Sequence, residues 1–129
     1  MPDSYRDLRV WQQAMKLAVR TYRGTECFPA REHYGLTAQL RRAAISVPSN
    51  IAEGKGRRTD PEFLTFLFHA RGSLLELETQ ISLAEQLGYL SQFSSRSLLR
   101  DTASVGSALT GLINSLQSAV AARSVASGR

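Results

Sequence analysis

A single cysteine, Cys27, leaves this chain of 129 residues without the means to form an intrachain disulfide, which points to a reducing compartment. Histidine is nearly as scarce, with only His33 and His69. Neither has a glutamate three residues before it, so the Glu-x-x-His pairs of a di-iron bundle are missing. His33 has no cysteine or second histidine at metal-ligand spacing and reads as a surface or packing residue. A Cys/His nucleophile pair would need a coincidence of fold. Gly54-Lys55-Gly56 lacks the GxxxxGK[ST] spacing of a phosphate-cradling loop. These absences argue against an enzyme, and no metal or cofactor is expected. No apolar run approaches membrane-spanning length, and Asp3, Arg6, Asp7 and Arg9 break up the start where a signal peptide would be apolar. A cytoplasmic protein with no membrane partner is the expectation.

What is present is a well-patterned helical sequence with a basic first half. Hydrophobic residues make up 43% and charged residues 21%, which is a globular composition. Net charge is +5 and the isoelectric point is about 10.0. Residues 1–58 hold eleven Lys/Arg against five acids, whereas residues 59–129 hold five against six. A surplus of this kind favours acidic partners such as nucleic acid.

The spacing of apolar residues predicts four helices. The first should run from about Ser4 to Arg23, capped by Asp3 or Ser4, with Leu8, Trp11, Met15, Ala18 and Tyr22 as its buried seam. Arg9, Lys16, Arg20 and Arg23 form a basic stripe opposite, either solvated or in contact with phosphates. In the connection from Gly24 to Tyr34, Pro29–Glu32 can form one helical turn, and Phe28 and Tyr34 can tuck under the bundle end. The second helix, about Gly35 to Glu53, carries Leu36, Leu40, Ala43 or Ala44, Val47 and Ile51 on one face. Pro48 either kinks it or splits it, and continuity of the apolar phase to Ile51 favours one kinked helix. Ser46, Ser49 and Asn50 can satisfy the freed carbonyls, and Gly54 reads as a left-handed C-cap.

The third helix opens on Thr59-Asp60-Pro61-Glu62 and places Phe63, Leu67, Ala70, Leu74, Leu77, Ile81 and Ala84 on one line up to Gly88. Tyr89-Leu90 should fold back after that stop. A second apolar line, with Leu64, Phe66, Phe68, Leu75 and Leu83, is either a wide core stripe or, through Leu64, Phe68 and Leu75, an oligomer interface. The fourth helix should start between Ser91 and Arg96 and end near Ala121. Its seam is Leu98, Thr102, Val105, Leu109, Leu112, Leu116 and Ala119, and its internal Gly106 and Gly111 suggest close helix–helix approach. The fold class is therefore all-α: an antiparallel up-down-up-down four-helix bundle over residues 1–122, with 123–129 a frayed tail.

Arg41 and Arg42, with Lys55, Arg57 and Arg58 in the next loop and the Arg9, Lys16, Arg20 and Arg23 stripe, could form one phosphate-neutralising patch. Aromatics are not interleaved with these residues except near Tyr22, so base stacking is not indicated. A basic face turned toward an acidic polypeptide, in a protein-interaction scaffold, is the alternative.

Several segments together carry a family likeness: Asp7-Leu8 with Val10-Trp11-Gln12, Phe28-Pro29, Tyr34-Gly35-Leu36, Gln39-Leu40-Arg41-Arg42-Ala43-Ala44, Asn50-Ile51-Ala52-Glu53-Gly54 and Leu87-Gly88-Tyr89. Over about residues 5–90 the chain resembles the four-helix-bundle proteins encoded in intervening sequences of bacterial large-subunit ribosomal RNA genes. It is also similar to the accessory variability determinant of diversity-generating retroelements, a basic pentamer that binds nucleic acid and a reverse transcriptase. The resemblance implies a cytoplasmic bacterial homopentamer with no catalytic residues. It also implies that Asn50 and Glu53 are structural, joining helices by hydrogen bonds near Pro48.

Overall fold

The computed structural model describes residues 4–126. Asp3, expected as a cap, and residues 127–129 of the expected tail lie outside it. Four helices carry the fold: α1 (Arg9–Gly24), α2 (Leu36–Lys55), α3 (Asp60–Gln86) and α4 (Gln92–Ala126). Short 3-10 turns at Tyr5–Asp7 and Ala30–Glu32 complete the order, and no strand occurs among the described residues.

Contacts along neighbouring helices run in opposite order, which places each helix antiparallel to its two neighbours. The start of α3 meets the end of α4 through Arg123 and Asp60, 2.6 Å apart. Ser46 of α2 bonds Ser73 of α3 at 2.8 Å, while the far end of α2 meets the first turns of α3 at Gly54. Arg20, near the end of α1, pairs with Asp101 and donates to Ser97 of α4.

The third helix follows its sequence pattern residue for residue. All seven seam positions, from Phe63 to Ala84, are buried. The Thr59 hydroxyl accepts from the Glu62 amide at 3.3 Å, and Pro61 occupies the first turn. At the other end Gly88 has φ +81°. Gly88 N–H bonds the Glu85 carbonyl, and Tyr89 N–H reaches back to Ala84, the paired bonds of a Schellman stop. Leu90 then turns into the core, and the Tyr89 ring packs 5.4 Å from that of Phe28.

The first helix differs from expectation in start and in register. Ser4 caps only the 3-10 turn, by accepting from Arg6 N–H at 3.1 Å. Leu8 is extended, so α1 begins at Arg9. The buried line is Val10, Ala14, Leu17, Ala18 and Thr21; of the expected seam only Ala18 is fully buried, while Leu8 and Trp11 pack partly against the core. Both sets have three-and-four spacing, and two buried threonines decide between them. Thr21 donates to the Leu17 carbonyl at 2.8 Å and Thr25 to that of Thr21 at 2.9 Å. With their hydroxyls satisfied by their own helix, these residues enter the core, and Met15 and Tyr22 are left at the surface.

The second helix runs unbroken through a buried Pro48. Asn50 donates to both the carbonyl and the hydroxyl of Ser46, at 2.8 and 2.9 Å. Through the Ser46–Ser73 bond this ties α2 to α3. Among the described residues Glu53 pairs with Arg57 four residues on, in the turn after α2, rather than with a second helix. Gly54 is helical and buried rather than a left-handed cap. It lies where α2 and α3 approach most closely, and a Cβ there would sit 2.7 Å from that of Phe66.

The last helix continues past Ala121 to Ala126, and Arg123, expected to fray, is helical and ion-paired with Asp60. Its buried line ends on Ile113, with Leu112 and Leu116 only partly covered. Close approach does not explain its glycines within the chain. A Cβ on Gly106 would make ordinary contact with Leu74 at 3.5 Å, and one on Gly111 would meet nothing within 4 Å.

Glu32 links its connection to the start of α2 and to the turn between α3 and α4. Its carboxylate accepts from Leu36 N–H at 3.0 Å, capping α2, and from the Tyr89 hydroxyl at 2.9 Å. These bonds, first the backbone one and then the tyrosine, hold its pKa below the ordinary glutamate range. A lowered folded-state pKa adds stability above the ordinary value, and that stability is lost as pH falls through the folded one. Glu32→Gln should therefore lower the thermal midpoint most at neutral pH. The gap from the parent should narrow as pH falls below the ordinary glutamate value and on through the lower folded one, and thermal melts from neutral to acid pH measure it.

Candidate nucleic-acid interface

The nine basic residues predicted to meet phosphates do not form one patch, because helix geometry separates them. On α1, positions 9, 16, 20 and 23 fall within about 60° of one another around the axis. They follow the groove that α1 makes with α4, where Lys16, Arg20 and Arg23 line shallow depressions with Asp101, Ser97 and Phe93. Arg41 and Arg42 lie on the opposite side of α1, in the groove with α2. Lys55 is about 20 Å further along α2 from Arg42, and Arg57 and Arg58 follow it in the turn to α3.

Their surroundings also differ. Arg20 is neutralised by Asp101, and Arg57 by Glu53 at 2.9 Å. Arg41 closes the end of α1: its Nε donates to Thr25 Oγ1 at 2.9 Å and its terminal nitrogen to the Tyr22 carbonyl at 3.2 Å. Its guanidinium also lies over the Tyr22 ring, 4.6 Å from the centroid. Among the described residues, Arg9, Lys16, Arg23, Arg42, Lys55 and Arg58 have no carboxylate partner.

Sequence reasoning missed the aromatic side chains around Arg41 and Arg42. A cavity of about 670 Å³ opens between α1, the residues just before α2, and α2 itself, lined by Tyr22, His33, Tyr34, Thr37, Ala38, Arg41, Arg42, Ile45 and Ser46. Tyr34, expected to tuck under the bundle end, is 91% exposed and stands edge-on to His33 at 4.6 Å. Thr37 is only 6% exposed, and its hydroxyl has no hydrogen-bond partner among the described residues. A second apolar depression, lined by Tyr5, Trp11, Met15, Ala18, Ile45, Pro48, Ser49 and Ala52, continues the same groove past Ile45. The sequence signal was present in Tyr34 and Arg42, but they are eight positions apart, across a turn and a helix start.

On α3, Leu64 is half-buried against the core. Phe68 is 36% and Leu75 58% exposed, and the Arg71 guanidinium lies 4.8 Å from the Phe68 ring. The proposed contact face is thus split between Leu64, which serves the core, and Phe68 and Leu75, which do not. Among the described residues no group of three or more His, Cys, Asp or Glu could hold a metal ion. None of their helices is long and apolar enough to cross a membrane.

A comparison with curated proteins finds no significant match. Among solved structures, a protein of unknown function from the S23 ribosomal protein family of Bacteroides thetaiotaomicron has the same fold. The TM-score is 0.73 at 20% identity, covering 81% of this chain and 97% of that one. The family described as 23S rRNA-intervening sequence protein matches residues 6–111, from the first 3-10 turn to well within α4. On that match, the chain belongs to the 23S rRNA-intervening sequence protein family.

Proposed function

We propose that this protein is a non-enzymatic, cytoplasmic, homo-oligomeric bundle that binds nucleic acid through its basic surface as an accessory factor. The observation behind this is that Arg9, Lys16 and Arg23 on α1 and Arg42, Lys55 and Arg58 on and after α2 have no carboxylate partner among the described residues. Such groups neutralise phosphates, release counterions and give salt-sensitive binding that is indifferent to sequence. The family's name, which refers to ribosomal RNA, supports the same direction. Self-association through Phe68 and Leu75, to the pentamer that the family likeness implies, would repeat the basic surface around a ring and multiply its phosphate-binding groups.

Fluorescence anisotropy with structured RNA and duplex DNA, from low to high salt, tests this. Replacing Lys16, Arg23, Lys55 and Arg58 together by alanine should flatten the log affinity–log salt slope by about one for each phosphate no longer neutralised. Arg57→Ala, which removes a charge already paired, should have a smaller effect. Affinity no better than a neutral protein's at low salt would end the idea. The exposed α1–α2 groove and the outer apolar side chains of α3 favour a second reading, a protein-interaction scaffold. Recovery of one protein partner, unaffected by nuclease, would support it. A sedimentation mass of one chain at micromolar concentration would remove the α3 interface.

A further inference from the structure

Resting on the nucleic-acid function proposed above, we infer that the cavity between α1 and α2 takes an unpaired nucleobase of a single strand, with its phosphate at Arg42. Four features of the cavity point to this occupant. Tyr34 offers an almost fully exposed aromatic ring at the rim, in a T-shaped contact with His33 at 4.6 Å. Across the cavity stands the ring of Tyr22, with the Arg41 guanidinium 4.6 Å from its centroid. A flat base stacks on such rings whatever its identity.

The charges complement a nucleotide. The lining contains Arg41 and Arg42 and no acidic residue. Arg41 is held by Thr25 and Tyr22, whereas Arg42 is exposed and has no ion-pair partner. Arg42 is therefore the side chain available to a phosphate. The wall also includes Thr37, whose buried hydroxyl has no hydrogen-bond partner among the described residues. The volume of about 670 Å³ is within the usual range for small-ligand sites, about 300–1,000 Å³.

Duplexes cannot present an unstacked base, so the cavity and the outer basic surface would bind different forms of nucleic acid. Three probes separate them: a single-stranded oligoadenylate RNA of about ten nucleotides, an abasic strand with the same number of phosphates, and a duplex of equal charge. The intact strand should bind the parent protein about tenfold more tightly than the abasic one. Tyr34→Ala should abolish that ratio and Tyr34→Phe preserve it; neither threatens the fold, since Tyr34 is almost wholly outside the core. Arg42→Ala should weaken both strands and flatten the salt slope by about one. Equal affinity for intact and abasic strands, with salt-sensitive binding retained, would overturn the base site and leave the basic-surface function standing. A base preference that survives Tyr34→Ala would also overturn it, and absence of binding to all three probes would remove both.

Discussion

Gly54→Ala should destabilise the bundle by about 2 kcal/mol, although alanine is the better helix former. In an isolated helix the substitution would gain about 1 kcal/mol, and Gly54 has no positive φ to make a side chain strained. The obstacle is α3. A Cβ would sit 2.7 Å from the Phe66 Cβ, 2.9 Å from Phe63 Cδ1 and 3.2 Å from the Phe63 carbonyl oxygen. The Phe63 ring can turn aside, but the other two atoms belong to or adjoin the backbone, so the helices must separate. Separation loosens Ile51, Phe63 and Leu67, all buried nearby in the same core, and overpacking of this kind costs about 1–3 kcal/mol. Gly111→Ala is the control, because its added Cβ meets nothing within 4 Å and should stabilise by up to about 1 kcal/mol. Opposite signs in urea melts are expected; a stabilised Gly54→Ala would mean that α2 and α3 are not pressed together there.

The same residue shows where the sequence was legible and where it was not. Gly54 before a basic turn has the appearance of a helix stop, yet α2 continues to Lys55. Only the position of Phe66 on another helix reveals its purpose. On α3 local and tertiary signals agree: a threonine cap, an early proline, one dominant apolar line and a Gly88 stop all specify the observed helix. On α1 they conflict, because Trp11, Met15 and Tyr22 outweigh Ala14 and Thr21 in hydrophobicity. Small residues and self-bonded threonines nevertheless take the core, since there the helices must pack closely. The candidate site suffered for the same reason. Basic residues were identified by type, but whether a guanidinium is free, paired or capping a helix depends on neighbours distant in sequence. Arg20 meets Asp101 on α4, and no local pattern announces it.

Arg41 and Arg42, adjacent in sequence, should therefore respond oppositely to substitution. Arg41→Ala should lower stability by about 1–2 kcal/mol, whereas Arg42→Ala, at an exposed position without partners, should change it by less than about 0.5 kcal/mol. Arg41 lies at the end of α1, where the last carbonyls are unsatisfied and the helix dipole is negative, so a cation is doubly favoured. It donates to the Tyr22 carbonyl and to Thr25, the residue that ends α1. The Thr25 hydroxyl already donates toward the Thr21 and Tyr22 carbonyls, at 2.9 and 3.0 Å. Removing Arg41 would thus leave a buried hydroxyl oxygen without its donor and strip the cation from the Tyr22 ring. Arg41→Lys should recover only part of the stability, because an ammonium cannot reach both acceptors and stack at once. Equilibrium urea unfolding gives the stability half of the comparison. Oligonucleotide binding to fully folded protein gives the other: Arg42→Ala should flatten the salt dependence, and Arg41→Ala should change it less. Equal destabilisation by the two substitutions would place Arg41 among the phosphate-binding residues, as its sequence context first suggested.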